Sequence, residues 1–405
     1  MAAVRGVPAR GGHAVSDASR CMPVHERLGV DCIRDPSGFA ELREPWNRLA
    51  SAMRRPRVFL FHEWFQAAWE WAGLDSDLHV LRIRNTDRTV GFFPLLLRHP
   101  PRAHSGARRL EFLSVPDTQY CDLICRDPDR SACLRAVAAY LARNAPAWEV
   151  MILRYLARSS PTAASLTEAL SAHRIRSLAR SGGTNPYVDL DGTWDAFYAS
   201  RSRRMKKGNN LAAGRLRRAG EVRVEWFRSS RSDDHRLPTV LDAITRISAR
   251  SWKGRTPFSL DHPGPGAFIR RLSATALDRG WLSIWILYLS EEPVAMEYQL
   301  IHDGTVHALR ADFDEARAQL SPGTYLNWKI LEALFGAGLS RYYMGPGENA
   351  YKLRWSTTAD PLITAYSYSP SLRGRVLSIW DLDLKPRLRR IRDASTSGTG
   401  TGREP

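Results

Sequence analysis

The sequence predicts an α+β chain of two tandem units, each a mixed, mostly antiparallel sheet flanked by helices. Three observations predict it. The chain has 405 residues, more than one ordinary domain of about 100–200 residues holds. Strand-like runs with period two and tight turns alternate with stretches of helical period. The order of these segments (helices, an antiparallel hairpin, a helix, a strand) occurs twice, at 29–190 and 191–372, with no residue-level repeat. An apolar fraction of 43% with 13 Trp is enough to fill two cores.

Each element follows in order. Residues 1–28, rich in Gly, Ala, Arg and Ser, read as a disordered lead. Trp46, Leu49 and the run FHEWFQAAWEW (61–71) read as helices. HVLRIR (79–84) and TVGFFPLLL (89–97) form a hairpin around NTDR, and CDLIC (121–125) is a short strand. Ser131 can cap a helix that buries Leu134, Val137, Ala138 and Leu141. WEVMIL (148–153) is a strand, a helix spans about 162–173, and YVDL (187–190) closes the first unit.

The second unit opens with a helix near Trp194 and a basic helical stretch to about Arg218. VRVEWF (222–227) alternates as a strand. Pro238 opens a helix with Val240, Ile244 and Ile247 on one face, and residues 267–279 make another that ends at Gly280. WLSIWILYL (281–289), apolar on both faces, is a central strand. VAMEYQLI (294–301) pairs with TVHALRA (305–311) across Asp303-Gly304. A helix runs from Pro322 to about Ala337, and RYYM (341–344) and LITAYSY (362–368) are the last strands. Residues 373–405 form an extension with a disordered tail from 393.

The net charge of +17 suits nucleic acid, an anionic membrane surface or phosphorylated ligands, and equally an arginine-rich genome. Cys21, Cys32, Cys121, Cys125 and Cys133 lack zinc-site spacing and disulfide pairing, which implies a reducing cytoplasm and no metal. The N-terminal stretch has no apolar signal-peptide core, and no run reaches the roughly 18 apolar residues of a membrane helix. A cytoplasmic protein without a transmembrane segment is expected.

Four stretches carry chemistry. In SPGTYLNWKILEALFGAG (321–338), Ser321 can cap, Pro322 suits the first turn, and Gly323 lets backbone approach a ligand closely. The start of such a helix is an anion site, although an ordinary capped helix has the same signature. In YYMGPGENAYKLRWS (342–356), Gly345, Pro346 and Gly347 break a strand before Tyr351 and Lys352, a cation for phosphate or carboxylate. SRSRRMKKGNNLAAGRLRR (200–218) has eight basic residues and no acid, and is either a phosphate grip or a solvated helix face. Trp252 and Lys253 at a helix end either line an acceptor pocket or plug the core. Arg310, Gly345 and Gly347 join them as substrate-binding candidates. Glu297, His307 and Asp312 are candidate bases for deprotonating an amine.

Taken in order, these stretches resemble the BioF2-like, or CelD/BcsL, acetyltransferase family of tandem GNAT-like proteins, relatives of the FemAB peptidoglycan-bridge enzymes. The resemblance rests on Ser251-Trp252-Lys253-Gly254, on Ser321-Pro322-Gly323, on Gly345 to Lys352, and in the first unit on Phe59 to Trp64 and EFLSVPDTQYCDL (111–123). It implies transfer of an acyl group, acetyl or another, from coenzyme A to an amine by direct attack in a ternary complex. The pantetheine would lie between two splayed strands, and the pyrophosphate at the helix start, here Leu320, Ser321, Pro322, Gly323 and Thr324, with Tyr351 and Lys352 nearby. The implied acceptor is a small-molecule or glycan amine, such as an amino sugar or a polymer precursor. Met344 stands where relatives usually carry Asp. Two alternatives remain: a FemAB-like aminoacyl-tRNA-dependent peptide ligase, the one reading with a nucleic-acid partner, and a non-catalytic basic binding module.

Overall fold

The computed structural model describes residues 28–55, 57–86, 88–100, 106–228 and 234–385. The expected lead up to residue 27 and the expected tail lie outside these residues.

The first half begins with strand β1 (Gly29–Ile33) and helices α1 (Pro36–Ala40), α2 (Arg43–Ser51) and α3 (His62–Ala72). The hairpin β2 (Ser76–Asn85) and β3 (Arg88–Arg98) follows, then β4 (Arg109–Phe112) and the two-residue β5 (Ile124–Cys125). Helix α4 (Arg130–Arg143), strand β6 (Val150–Ala157), helix α5 (Thr162–Ser171) and strand β7 (Arg176–Asp189) complete it. In the second half, α6 (Trp194–Ala199) and α7 (Arg203–Ala219) precede β8 (Val222–Arg228), α8 (Leu237–Arg250) and α9 (Pro263–Asp278). Strands β9 (Leu282–Leu289), β10 (Glu292–His302) and β11 (Thr305–Phe313) then run antiparallel. Helix α10 (Pro322–Phe335), β12 (Arg341–Tyr343), α11 (Ala350–Trp355), β13 (Thr358–Tyr368) and α12 (Leu372–Ser378) end the described chain, the last running into a π-helical turn, Ile379–Leu384.

The two halves repeat one plan. In each, three antiparallel strands lead to a helix, and the strand after that helix runs parallel to the one before it: β6 to β4, and β12 to β11. The halves do not form two separate sheets. Their strands make one sheet in the order β1-β2-β3-β4-β6-β13-β7-β12-β11-β10-β9-β8, with β5 beside β3. The final strands are exchanged, β13 pairing with β6 and β7 with β12, and the two pair with each other at the centre. The exchange leaves no open edge at the junction, where unpaired backbone groups would otherwise be buried.

The segment expected as the short strand YVDL is thus the end of a 14-residue strand. Its first part, RSLARSGGTN, has no alternation to mark it, and most of these residues are exposed. The β13 ladder holds it in place. Gly182 lies so close to that ladder that a Cβ would sit 2.9 Å from the carbonyl carbon of Ile363. The sequence reading also passes over β1 and β4, which are too short for periodicity to show.

One core is common to both halves. Trp46, Phe59, Trp64 and Phe65 pack with Ile244, Phe268 and Tyr298, and the Trp64 and Phe268 ring centroids are 5.5 Å apart. A second core lies mainly in the first half, joined by Ala365 of β13, and a third lies under α7 and α10 in the second half, joined by Val188 of β7. The shared core and shared sheet fix the two halves as one body, so first-half residues can take part in a site built mainly by the second half.

Candidate functional site

The site begins where β11 and β12 part. They pair in parallel only at Thr305–Arg341, Val306–Tyr342 and His307–Tyr343. Beyond this point β11 runs on to Phe313 with β10 as its neighbour, while β12 stops. Gly345 (φ +82°) and Gly347 (φ +101°) turn the chain away through a backbone region costly for other residues. Gln119 from the first half holds the narrow end, its Nε2 donating to the Ala308 carbonyl at 2.8 Å. Lys352 Nζ donates to the Gly345 carbonyl at 2.8 Å and the Pro346 carbonyl at 3.0 Å. Burial lowers the pKa of this lysine to about 8.

Two cavities open from the splayed strands. The first, about 420 Å³, is lined by Met205 and Asn209 of α7, by Asp312 and Phe313 of β11, and by Ser321 to Thr324 at the start of α10. Ser321 does not cap this helix through its side chain, contrary to expectation: it is left-handed (φ +57°), and its carbonyl instead accepts the N–H groups of Thr324 (3.1 Å) and Tyr325 (3.2 Å). The 14-residue helix therefore points its positive dipole end into the cavity. Arg354 contributes a cation to the wall. Leu320 does not line this cavity; it packs on the core beneath α10.

The second cavity, about 240 Å³, is lined by Lys253, Arg310, Met344, Gly345 and Lys352, with Asp117 and Gln119 from the first half. Trp252, Glu297, Ala311 and Tyr351 line both cavities. Trp252 is 51% exposed, which corrects the reading of it as a core plug: the single 3-10 turn after α8 leaves it on the rim.

Glu297 is the buried carboxylate at this shared wall. Its Oε1 accepts from the Tyr342 hydroxyl at 2.6 Å and from Gln299 Nε2 at 2.7 Å. Gln299 is held in that orientation because its Oε1 accepts from Ser283 Oγ (3.0 Å) and Trp285 Nε1 (3.1 Å). Ser283 in turn accepts from Trp226 Nε1 at 2.9 Å, and the two indoles stack 4.3 Å apart. Burial pushes the Glu297 carboxyl above its usual range, against the lowering effect of the Tyr342 and Gln299 hydrogen bonds.

The other candidate bases are placed differently. Asp312 Oδ1 lies 2.5 Å from Lys253 Nζ with neither oxygen in hydrogen-bond geometry, and its side chain is fully buried. His307 sits in the paired part of β11, ahead of the splay, and lines neither cavity. Its Nδ1 is 3.0 Å from Gln119 Oε1, its ring stacks on Tyr343, and burial holds its pKa well below the usual histidine value. Arg310 is buried as a brace, with Nε donating to Asp117 Oδ2 at 2.9 Å and Nη1 to the Phe258 carbonyl at 2.8 Å. Gly347 lines neither cavity, and its N–H donates to the Thr184 carbonyl at 2.9 Å.

The Lys253–Asp312 pair makes a prediction. Lys253→Met strands a buried carboxylate, so unfolding free energy in urea should fall by about 3–5 kcal/mol. Lys253→Met with Asp312→Asn should recover most of that loss; equal stability of the single and double variants would show that the pair carries no such coupling.

Sequence reasoning missed Gln119, Asp117, Tyr342 and Gln299. The first two lie in the 111–123 stretch already noted for its resemblance, but nothing local shows that this loop reaches β11. Among the described residues no group of three or more His, Cys, Asp or Glu could hold a metal ion. Nor is any described helix long and apolar enough to cross a membrane.

No curated protein matches the chain. Among solved structures, the fold is similar to the C-terminal domain (DUF2156) of an Agrobacterium fabrum protein described as a lysylphosphatidylglycerol synthetase. The TM-score is 0.51 at 14% identity, over 85% of this chain and 95% of that one. FemX is similar to the same degree, with a TM-score of 0.51 at 10% identity, over 87% of this chain and 99% of that one. At such identities the likeness concerns fold alone. Residues 201–353, which include the start of α10 and the splayed strands, match the family described as "Acetyltransferase (GNAT) domain", and with the same strand plan in the first half the chain has the fold of two tandem GNAT-like domains.

Proposed function

We propose that this protein transfers an acyl group from coenzyme A to an amine, with both substrates bound at once. The observation that carries the reading is Glu297, which stands in the wall common to two cavities of different character. The first has what an acyl-CoA needs: the open start of α10 for the pyrophosphate, and the edge of β11 left unpaired beyond His307 for an extended pantetheine. Ser321, Pro322, Gly323 and Thr324 would contact the pyrophosphate, and Tyr351 the thioester end.

The amine would enter through the second cavity. Glu297 takes its proton as the N–C bond forms at the thioester carbonyl, and the C–S bond then breaks to release coenzyme A. Asp312 is engaged by Lys253 and His307 is outside the cavities, which favours Glu297 among the three candidate bases. Lys352 acts as a positioning residue that holds the Gly345-Pro346 turn open. Residues 191–372 supply the transferase unit, and the first half contributes Asp117 and Gln119 to the acceptor side. The acceptor is an amino sugar or a related amine of a polymer or natural-product precursor, as the BioF2-like and CelD resemblance implies. A supply of acyl-CoA places the reaction in the cytoplasm.

A second reading, a FemAB-like ligase using aminoacyl-tRNA, is favoured by the likeness to FemX and by Arg203, Arg204, Lys207, Arg217 and Arg218, which α7 turns outward. Titration calorimetry separates the two. Acetyl-CoA is expected to bind with Kd on the order of 10 μM. No heat at millimolar acetyl-CoA, together with salt-sensitive binding of a charged tRNA, would replace the first reading with the second.

A further inference from the structure

The last described helix is amphipathic the wrong way round. From α12 through the π-helical turn, Leu372, Val376, Ile379, Trp380 and Leu384 face solvent, from 80% exposed at Leu372 to 42% at Leu384. They are five of the eleven large apolar side chains exposed among the described residues, so the concentration in one helix calls for a partner. The inward side is mostly small or polar, with Leu377 and Leu382 half-buried beside it. Gly374 and Ser378 pack against the sheet, Asp381 accepts from the Tyr368 hydroxyl, and Asp383 pairs with Arg176 at 2.9 Å. A helix that only covered a core would place these sets the other way.

The geometry keeps the stripe straight. Leu372, Val376, Trp380 and Leu384 recur every fourth residue, a spacing that drifts around an α-helix of 3.6 residues per turn. The wider π turn at Ile379–Leu384 counters the drift at the end of the stripe.

The charge indicates what covers it. From 372 to 392 the sequence has Arg373, Arg375, Lys385, Arg387, Arg389, Arg390 and Arg392 against Asp381, which bonds Tyr368 and pairs with Lys385, and Asp383, which pairs with Arg176. A twofold pairing with a second copy would bring this cationic segment against itself. An anionic lipid surface would meet it with opposite charge and also take up the apolar stripe, with Trp380 at headgroup depth. We propose that the helix Leu372–Leu384 is an interfacial anchor that lays the protein on an anionic membrane surface.

The test is co-sedimentation of the full chain with large vesicles of phosphatidylglycerol and phosphatidylcholine. Because the whole chain is cationic, the decisive readout is the response to outward apolar substitutions, which a purely electrostatic attraction would not share. The wild type is expected to bind these vesicles and not pure phosphatidylcholine. Val376→Ser with Trp380→Ser, which leaves the charge unchanged, is expected to lower the partition coefficient by about tenfold or more at unchanged melting temperature, and Trp380→Phe to retain binding. Should the double variant unfold, the charge-neutral Leu372→Ser at the most exposed position serves the same purpose. The proposal is overturned by absence of wild-type binding, by equal binding of wild type and the folded serine variant, or by a solution dimer that the serine variant converts to monomer.

Discussion

Gly323→Leu is expected to weaken acyl-CoA binding by roughly 100-fold or more without destabilising the protein. The residue sits in the first turn of α10 on the wall of the larger cavity. A Cβ there would already lie 3.3 Å from the Phe313 ring, so a larger side chain must displace that ring or project into the cavity. A side chain projecting into the cavity takes the space and contacts of the pyrophosphate, so affinity for acetyl-CoA should fall by roughly 100-fold or more, about 3 kcal/mol. Leucine is also a better helix former than glycine, so the melting temperature should hold or rise. That divergence separates loss of a ligand site from loss of fold. Gly323→Ala should fall between, because Phe313 can yield by a few tenths of an ångström. Calorimetry with acetyl-CoA reads the outcome, and unchanged affinity in the leucine variant would move the pyrophosphate away from α10.

Glu297→Gln tests the chemistry and spares the binding. Its shape allows the amide oxygen to accept from Tyr342 and Gln299 as the carboxylate does. Affinity for acetyl-CoA should therefore stay near wild type while kcat falls by about 10²–10⁴-fold, the usual worth of a general base. The pH profile gives an independent reading. Only the carboxylate can take the proton, and burial has raised its pKa, so activity should climb as pH rises through that raised value. In the glutamine variant this limb should disappear. A variant that kept both its rate and its limb would exclude Glu297 as the base.

How much of this could be read from the chain alone depends on the range of the interactions involved. Local patterns sufficed for most helices and for the three antiparallel strands of the second half. The Asp303-Gly304 turn is marked by its residue types, and both residues take positive φ (+48° and +68°). The start of α10 at Pro322 and the break at Gly345 are likewise matters of local backbone geometry, so they were visible as motifs. Glu297 stood out as a carboxylate within an apolar strand.

Which face Glu297 takes, and with whom, was settled only by tertiary contacts. Gln299 shares β10 with Glu297 but is oriented by Ser283 and Trp285 of the neighbouring β9, and the two donors on the Glu297 Oε1 converge from β10 and β12. Gln119 reaches Ala308 across 189 positions. The exchange of β7 and β13 is of the same kind: periodicity reports which side of a strand is apolar but not which edge it will meet. The glycine-rich, exposed first part of β7 carries no pattern because its place is held by backbone hydrogen bonds to β13, to which side chains contribute little. Sequence order thus set the local elements and the motifs of the site, while long-range pairing brought the first half's loop and the second half's splayed strands together around one carboxylate.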